Sequence, residues 1–214
     1  RSVVESLRLT VSDLFIAGSE TTASSLNWAV LFLTKFPEIQ KKVQTEILQV
    51  VGESRTPTVA DRSNMPFTEA FVNETLRKSS HTTYGVMHRA LQDTELNGYL
   101  IPKGSWVNCF QYYIHHDPRI WGDPENFRPE RFLTTDSDGI QTVKKFDEFL
   151  PFSIGKRLCI GEQLAKDELF VFLTCLYQVF DTHFDPNDTH PSIHTRTSMF
   201  RNPEYFKVVL TERR

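Results

Sequence analysis

A chain of 214 residues, 39% hydrophobic and 24% charged, has the make-up of an ordinary globular protein and is long enough to bury a sizeable core in one or two domains. Its net charge of −3 gives no electrostatic footprint for nucleic acid or another polyanion. Three cysteines, Cys109, Cys159 and Cys175, are too few for a disulfide framework and wrongly spaced for a zinc knuckle, which fits a reducing compartment; no apolar run reaches a membrane span, and no segment reads as a signal peptide.

The chain opens on Arg1, already inside a helical pattern, as expected of the later part of a longer protein whose anchor would lie elsewhere. Val3, Val4, Leu7, Val11, Leu14 and Phe15, then Leu26 to Leu33, predict one long helix over residues 1–35. Between the two apolar runs lies Ala17-Gly18-Ser19-Glu20-Thr21-Thr22. A polar patch at a helix surface would account for it. Alternatively, Gly18 admits a close neighbour, the Thr21 hydroxyl turns onto a main-chain carbonyl and loosens the helix, and Glu20 passes protons. Pro37 to Val51 is an amphipathic helix with Ile39, Val43, Ile47 and Val50 on its apolar face and Gly52 as its stop. Residues 54–64 read as loop with one short helical turn.

A further helix is expected from Thr68, as its cap, to about Arg77, carrying Glu74 and Arg77 on one face. Asn97-Gly98 and Pro102-Lys103-Gly104 mark turns of a small antiparallel sheet, with His88 and Arg89 leading into it. Residues 111–120 suggest a short helix. The irregular run 121–132 has two prolines and several aromatics and needs tertiary anchors, whereas 134–145 reads as polar and mobile. Ala165, Leu169, Phe172, Leu173, Leu176 and Phe180 predict a buried helix over 161–180; residues 184–202 read as loop, and Phe206, Val208 and Leu210 as a final strand.

The densest chemistry lies in Pro151-Phe152-Ser153-Ile154-Gly155-Lys156-Arg157-Leu158-Cys159-Ile160-Gly161. A lone cysteine is more often a buried structural residue. Here Gly155 and Gly161 permit a tight turn whose amides face the sulfur, the following helix brings its positive end, Phe152 can shield the sulfur, and Arg157 can meet a carboxylate. These are the needs of a guarded thiolate, the ligand that pushes electron density onto haem iron. Seventeen phenylalanines suit the walls of such a flat apolar group, or simply an aromatic core.

Phe-x-x-Gly-x-Arg-x-Cys-x-Gly at 152–161 resembles the haem-binding signature of the cytochrome P450 superfamily. Residues 17–22 resemble its oxygen-activation motif, Glu74-Thr75-Leu76-Arg77 its Glu-x-x-Arg helix, and Pro129-Glu130-Arg131-Phe132 its Pro-Glu-Arg-Phe segment, all in the family's order. The resemblance covers essentially the whole chain and is to the animal microsomal branch. It implies a mainly α fold with small antiparallel β-sheets, residues 1–214 being the C-terminal portion of a single domain. It implies haem b, with Cys159 as axial ligand and Phe152, Gly155 and Gly161 in its loop. Arg157 and His88 would meet the haem propionates, with Arg89 a less certain neighbour. Glu20 and Thr21 would handle protons at bound dioxygen, and Glu74, Arg77 and Arg131 would form a structural triad. Ala17, residues 82–86 (Thr83, Tyr84, Gly85 and Val86 among them) and 198–200 (with Met199) would contact substrate.

This sequence departs from the pattern where Thr83 and Met87 replace common prolines, which predicts a less rigid loop. No Trp-x-x-x-Arg propionate clamp occurs in it, and the anchor and most of the substrate lid are expected outside it. The function implied is a monooxygenase acting on an apolar substrate (fatty acid, steroid or xenobiotic) with electrons from an NADPH-dependent reductase docking near Lys144, Lys145, Lys156 and Lys166. The implied place is the cytosolic face of the endoplasmic reticulum membrane. Two alternatives stand beside it: a non-catalytic fragment with weak or no haem binding, and an enzyme that rearranges peroxides, which would not need Glu20 and Thr21.

Overall fold

The computed structural model describes residues 2–188, 195–196 and 200–213. Substrate-contact candidates Ser198 and Met199 lie outside the described residues. The fold is mainly α with small antiparallel sheets, as the sequence implied.

Helix α1 spans Val3–Lys35, started by the Ser2 hydroxyl, which accepts from the Glu5 amide at 3.2 Å. Its polar middle does not break it. The hydroxyls of Ser19, Thr21 and Ser25 donate to the carbonyls of Phe15, Ala17 and Thr21 at 2.7, 2.7 and 2.9 Å, and the helix continues through them. Helix α2 (Pro37–Val50) begins on proline and ends where Gly52, at φ 80°, turns its amide back onto the Ile47 and Leu48 carbonyls.

Helix α3 spans Pro66–Ser79, starting two residues before the expected cap. Thr68 does not cap it. The cap comes from another helix: the Glu46 carboxylate of α2 accepts from the Phe67 and Thr68 amides at 2.9 and 2.7 Å and from the Thr68 hydroxyl at 2.6 Å. A carboxylate serves free amides at a helix start better than a hydroxyl, through its charge and the helix dipole.

The core forms where α1, α2, α3 and α6 (Glu162–Val179) meet, around Trp28, Leu31, Phe32, Val43, Ile47, Phe71, Leu169, Phe170, Leu173 and Tyr177. The α6 face is rotated from the one expected: Phe170, Thr174 and Tyr177 are buried, and Phe172 is exposed. The opening half of α1 takes no part in this core, and Val3, Val4, Leu7, Val11, Phe15 and Ile16 are all exposed.

The strands form five two-stranded antiparallel sheets among the described residues. β1 (His88–Arg89) pairs with β4 (Trp106–Val107), and β2 (Thr94–Leu96) with β3 (Tyr99–Ile101) across Asn97-Gly98, both at positive φ. The segment 111–120 is two helices, α4 (Gln111–His115) and α5 (Pro118–Trp121), divided at Pro118. The segment read as mobile is instead a hairpin of β5 (Leu133–Thr135) and β6 (Gln141–Val143), its turn organised by Asp136, whose carboxylate accepts from the Asp138 and Ile140 amides.

The sequence reading also missed β7 (Phe180–Phe184), which pairs with β10 (Val208–Glu212). β7 is bolted to α2. Gln40 takes the Thr182 amide at 2.9 Å and returns its own amide to the Leu33 and Thr182 carbonyls, while Gln44 reaches the Phe180 carbonyl and Asp181. The short strands β8 (Thr195–Arg196) and β9 (Asn202–Pro203) close the list.

Candidate functional site

The Cys159 loop is a tight turn held by its own backbone. The Cys159 amide donates to the Phe152 carbonyl at 3.0 Å, and the Leu158 amide to Gly155 at 3.1 Å. Ser153 and Gly155 both take positive φ, 67° and 76°; a glycine at the second position removes the strain a side chain would bring. The Gly161 and Ile160 amides make no backbone hydrogen bond among the described residues, so both are free to serve the sulfur. A β-carbon at Gly161 would lie 3.9 Å from Cys159 Sγ. Helix α6 starts at Glu162 and adds the positive end of its dipole.

Cys159 is exposed, and so are its apolar neighbours Ile154, Leu158, Ile160 and Leu164. Phe152 is half-buried against the main core with Lys166 Nζ 5.4 Å from its ring centre, so its ring props the loop. Arg157 is exposed and makes no ion pair among the described residues. His88 is exposed on β1 opposite Val107, while the neighbouring Arg89 guanidinium packs over Gly104. An available sulfur donor, two free amides, an apolar rim and unpaired cations together fit a flat apolar metal chelate carrying carboxylates.

On α1 the Thr21 hydroxyl is committed to the Ala17 carbonyl, while Glu20 and Ala17 are exposed; a β-carbon at Gly18 would meet nothing within 4 Å. The loop 82–86 is pinned rather than loose. The Thr82 hydroxyl donates to Gln111 at 3.1 Å, the Tyr112 amide donates to the Thr83 carbonyl at 3.2 Å, and Tyr84 meets Phe110 edge-on at 4.7 Å. Gly85 sits at φ 61° and Val86 is exposed. Hydrogen bonds to α4 thus replace the stiffness that proline would have given.

Glu74, Arg77 and Arg131 are brought together. Arg77 grips both Glu74 oxygens, at 2.7 and 2.8 Å, and Arg131 Nε reaches the same carboxylate at 3.0 Å. The Glu74 and Arg77 side chains are 0% exposed and Arg131 4%. Such burial requires that every donor be met. Arg77 also donates to the carbonyls of His115 and Pro124, at 2.7 and 3.0 Å. Arg131 donates to those of Trp121, Asp123 and Asn126. The Arg128 amide donates to Glu74 Oε1 at 2.9 Å. Carbonyls of the irregular 121–128 run therefore complete the cluster, which is the tertiary anchor that run needs. The Asp123 carboxyl is held well below the usual range, first by its hydrogen bond from Arg128 and then, against burial, by Arg131.

No local pattern in the chain marks the histidines around this cluster. His115 is fully buried. Its Nε2 accepts the Leu150 amide at 3.0 Å, so its proton is on Nδ1, which faces Ser80 Oγ at 3.0 Å. It thereby joins α3 to the approach to the cysteine loop. Burial, then the Arg77 and His116 charges, pushes its pKa down to about 3. His116, stacked on Tyr112 at 4.1 Å, is pushed down to about 4, mainly by burial. Of the four lysines, Lys144, Lys145 and Lys156 are exposed, but Lys166 is tied to Glu162 at 2.6 Å.

A family model described as Cytochrome P450 matches residues 4–210, and the chain belongs to that family. It is 43% identical over 82% of its length to cytochrome P450 1A2 of Balaenoptera acutorostrata. It is 40% identical over 95% of its length to cytochrome P450 2U1 of Bos taurus. It spans 34% and 36% of those relatives' lengths. A zebra fish cytochrome P450 solved with Abiraterone superposes with a TM-score of 0.85 at 37% identity, covering 94% of this chain and 46% of that one.

Proposed function

We propose that the protein to which this chain belongs is a haem-thiolate monooxygenase, with Cys159 as the axial ligand of haem b. The observation that carries the reading is the Cys159 loop: an exposed sulfur, free Ile160 and Gly161 amides and a helix start, in a chain of this family. Bound haem would supply the chemistry that cleaves O–O and inserts one oxygen atom into an apolar C–H bond, the other leaving as water with two electrons and two protons.

The chain's own residues do the rest. Ile160 and Gly161 stabilise the thiolate, with Gly155 shaping the turn and Phe152 propping it. Arg157 and His88 pair with the propionates. Glu20 holds a proton near Thr21, whose hydroxyl exchanges its carbonyl partner for water. Glu74, Arg77 and Arg131 hold the loop's underside. Ala17 and residues 82–86 bear on the substrate, of fatty-acid, steroid or xenobiotic class.

Electrons come from an NADPH-dependent reductase docking on the lysine-bearing side. No helix among the described residues is long and apolar enough to cross a membrane; attachment to the endoplasmic reticulum, on its cytosolic face, would use residues outside these 214. The single P450 domain would likewise extend beyond them. The exposed apolar side chains of α1 favour a second reading, that residues 1–214 alone hold haem weakly or not at all.

The test is oxygenation of a lauric acid and testosterone panel by the full-length protein. The expected result is product formation that requires NADPH, the reductase and dioxygen together. Turnover of a peroxide without the reductase, and none of the panel with it, would overturn the proposal in favour of peroxide rearrangement.

A further inference from the structure

His81 lies one residue before the loop 82–86, and two other segments of chain converge on its buried ring. From α1, one turn past Glu20 and Thr21, Ser24 Oγ lies 2.8 Å from His81 Nδ1. From the far end of the chain the Arg201 carbonyl lies 3.1 Å from the same nitrogen, and Phe200 stacks on the ring at 5.1 Å. The backbone closes the knot: the Arg201 amide donates to the His81 carbonyl at 2.9 Å, Ser24 also donates to Asn202, and Trp28 Nε1 donates to the Arg201 carbonyl at 2.9 Å.

Proton bookkeeping fixes the state of the ring. A carbonyl oxygen only accepts, so Nδ1 must carry the proton that Arg201 receives. Burial disfavours a second proton and lowers the ring's pKa, so the imidazole is the neutral Nδ1–H tautomer. Its Nε2 is buried and has no hydrogen-bond partner among the described residues. Burying a ring nitrogen bare has a cost, which suggests that the Nδ1 side is what the position serves.

We infer that His81 is a positioning residue for substrate selection. Its Nδ1–H ties the start of the loop 82–86, at His81, and the segment 200–202 to the turn of α1 that follows Glu20 and Thr21, and so sets the spacing between that loop and α1. This rests on the proposed reading of Ala17 and residues 82–86 as substrate contacts. Thr82 and Thr83 fix the outer side of the loop on α4; His81 is its tie on the inner side.

The experiment uses three variants of the full-length, haem-loaded protein. His81→Val removes the donor, His81→Asn keeps an N–H near the Nδ1 position, and Ser24→Ala deletes one acceptor with little change in volume. Lauric acid, testosterone and 7-ethoxycoumarin are titrated by the shift they induce in the haem spectrum. The expected result is a loss of about tenfold in affinity for the tightest probe in His81→Val, a smaller loss in Ser24→Ala, and recovery to within about twofold of wild type in His81→Asn. KM is expected to rise more than kcat falls.

Equal affinities in wild type and His81→Val, or equal defects in His81→Val and His81→Asn, would overturn the inference. If wild type binds no probe, the reading of the segments as substrate contacts fails instead. Hydrogen exchange then still decides the tie: amides of 82–86, Arg201 and Asn202 are expected to exchange about tenfold faster in His81→Val than in His81→Asn, and identical rates would refute it.

Discussion

Lowering the pH should unfold this protein through His115, and the size of the effect follows from its surroundings. The free imidazole titrates near 6.5, whereas burial against Arg77 brings His115 down to about 3. Above pH 6.5 both folded and unfolded states carry a neutral ring and the group contributes no slope. Below it, the unfolded chain takes up a proton that the folded one refuses. Stability is therefore full above pH 6.5 and is lost progressively as the pH falls towards 3, by about 1.4 kcal/mol per unit. Between pH 7 and pH 5 the loss through His115 alone is about 2 kcal/mol, a large share of a typical domain's stability. His116 adds a smaller loss over pH 6.5 to 4, reduced because its ring is only partly buried.

The assay is urea unfolding of wild type and His115→Gln at pH 7, 6 and 5, followed by tryptophan fluorescence. Glutamine can still accept from the Leu150 amide but cannot titrate. It is expected to lower stability at pH 7 by about 1–3 kcal/mol and to lose about 2 kcal/mol less than wild type on going to pH 5. A variant that loses as much as wild type over that interval would refute the reasoning.

Breaking the buried cluster should be more severe. Arg131→Ala strands part of the Glu74 charge and is expected to cost about 3–5 kcal/mol, read as a fall in Tm, whereas a loss under 1 kcal/mol would mean that the carboxylate finds other partners. Gly155→Ala must hold alanine at φ 76° and is expected to cost about 1–2 kcal/mol. Gly161→Ala meets Sγ at an ordinary 3.9 Å and should cost less, so the reverse order of the two midpoints in urea would contradict the loop geometry. Charge reversal at the exposed Lys144, Lys145 and Lys156 should slow reduction of the haem by the reductase, measured by stopped flow, more than reversal at Lys166, which Glu162 already occupies. Unchanged rates in all four would reject a docking face there.

Much of the helical framework could be read directly, because its signals are local. The proline start of α2, its apolar period and the Asn97-Gly98 turn each act within a few residues. The elements missed depend on distant partners. β7 exists because Gln40 and Gln44 of α2 and the strand β10 receive its backbone, and no pattern within 180–184 announces that. The α3 cap is a carboxylate 21 residues upstream of Phe67.

The site shows the same division. The cysteine loop reads from eleven consecutive residues, and the cluster of Glu74, Arg77 and Arg131 from a family likeness rather than from spacing. His81 and His115, which knit these parts together, have partners 120 and 35 residues away, and nothing beside them in the chain marks either one. The hairpin 133–143 was hidden by its polar composition, since a single Asp136 carboxylate folds its turn.

The central claim is that one particular sulfur among three binds the haem iron. The direct measurement is the absorbance of the reduced carbon monoxide complex of the full-length protein in three variants, Cys109→Ser, Cys159→Ser and Cys175→Ser. The red-shifted Soret band of a thiolate complex is expected in wild type, Cys109→Ser and Cys175→Ser, and its disappearance in Cys159→Ser alone. A band that survives in Cys159→Ser would contradict the claim.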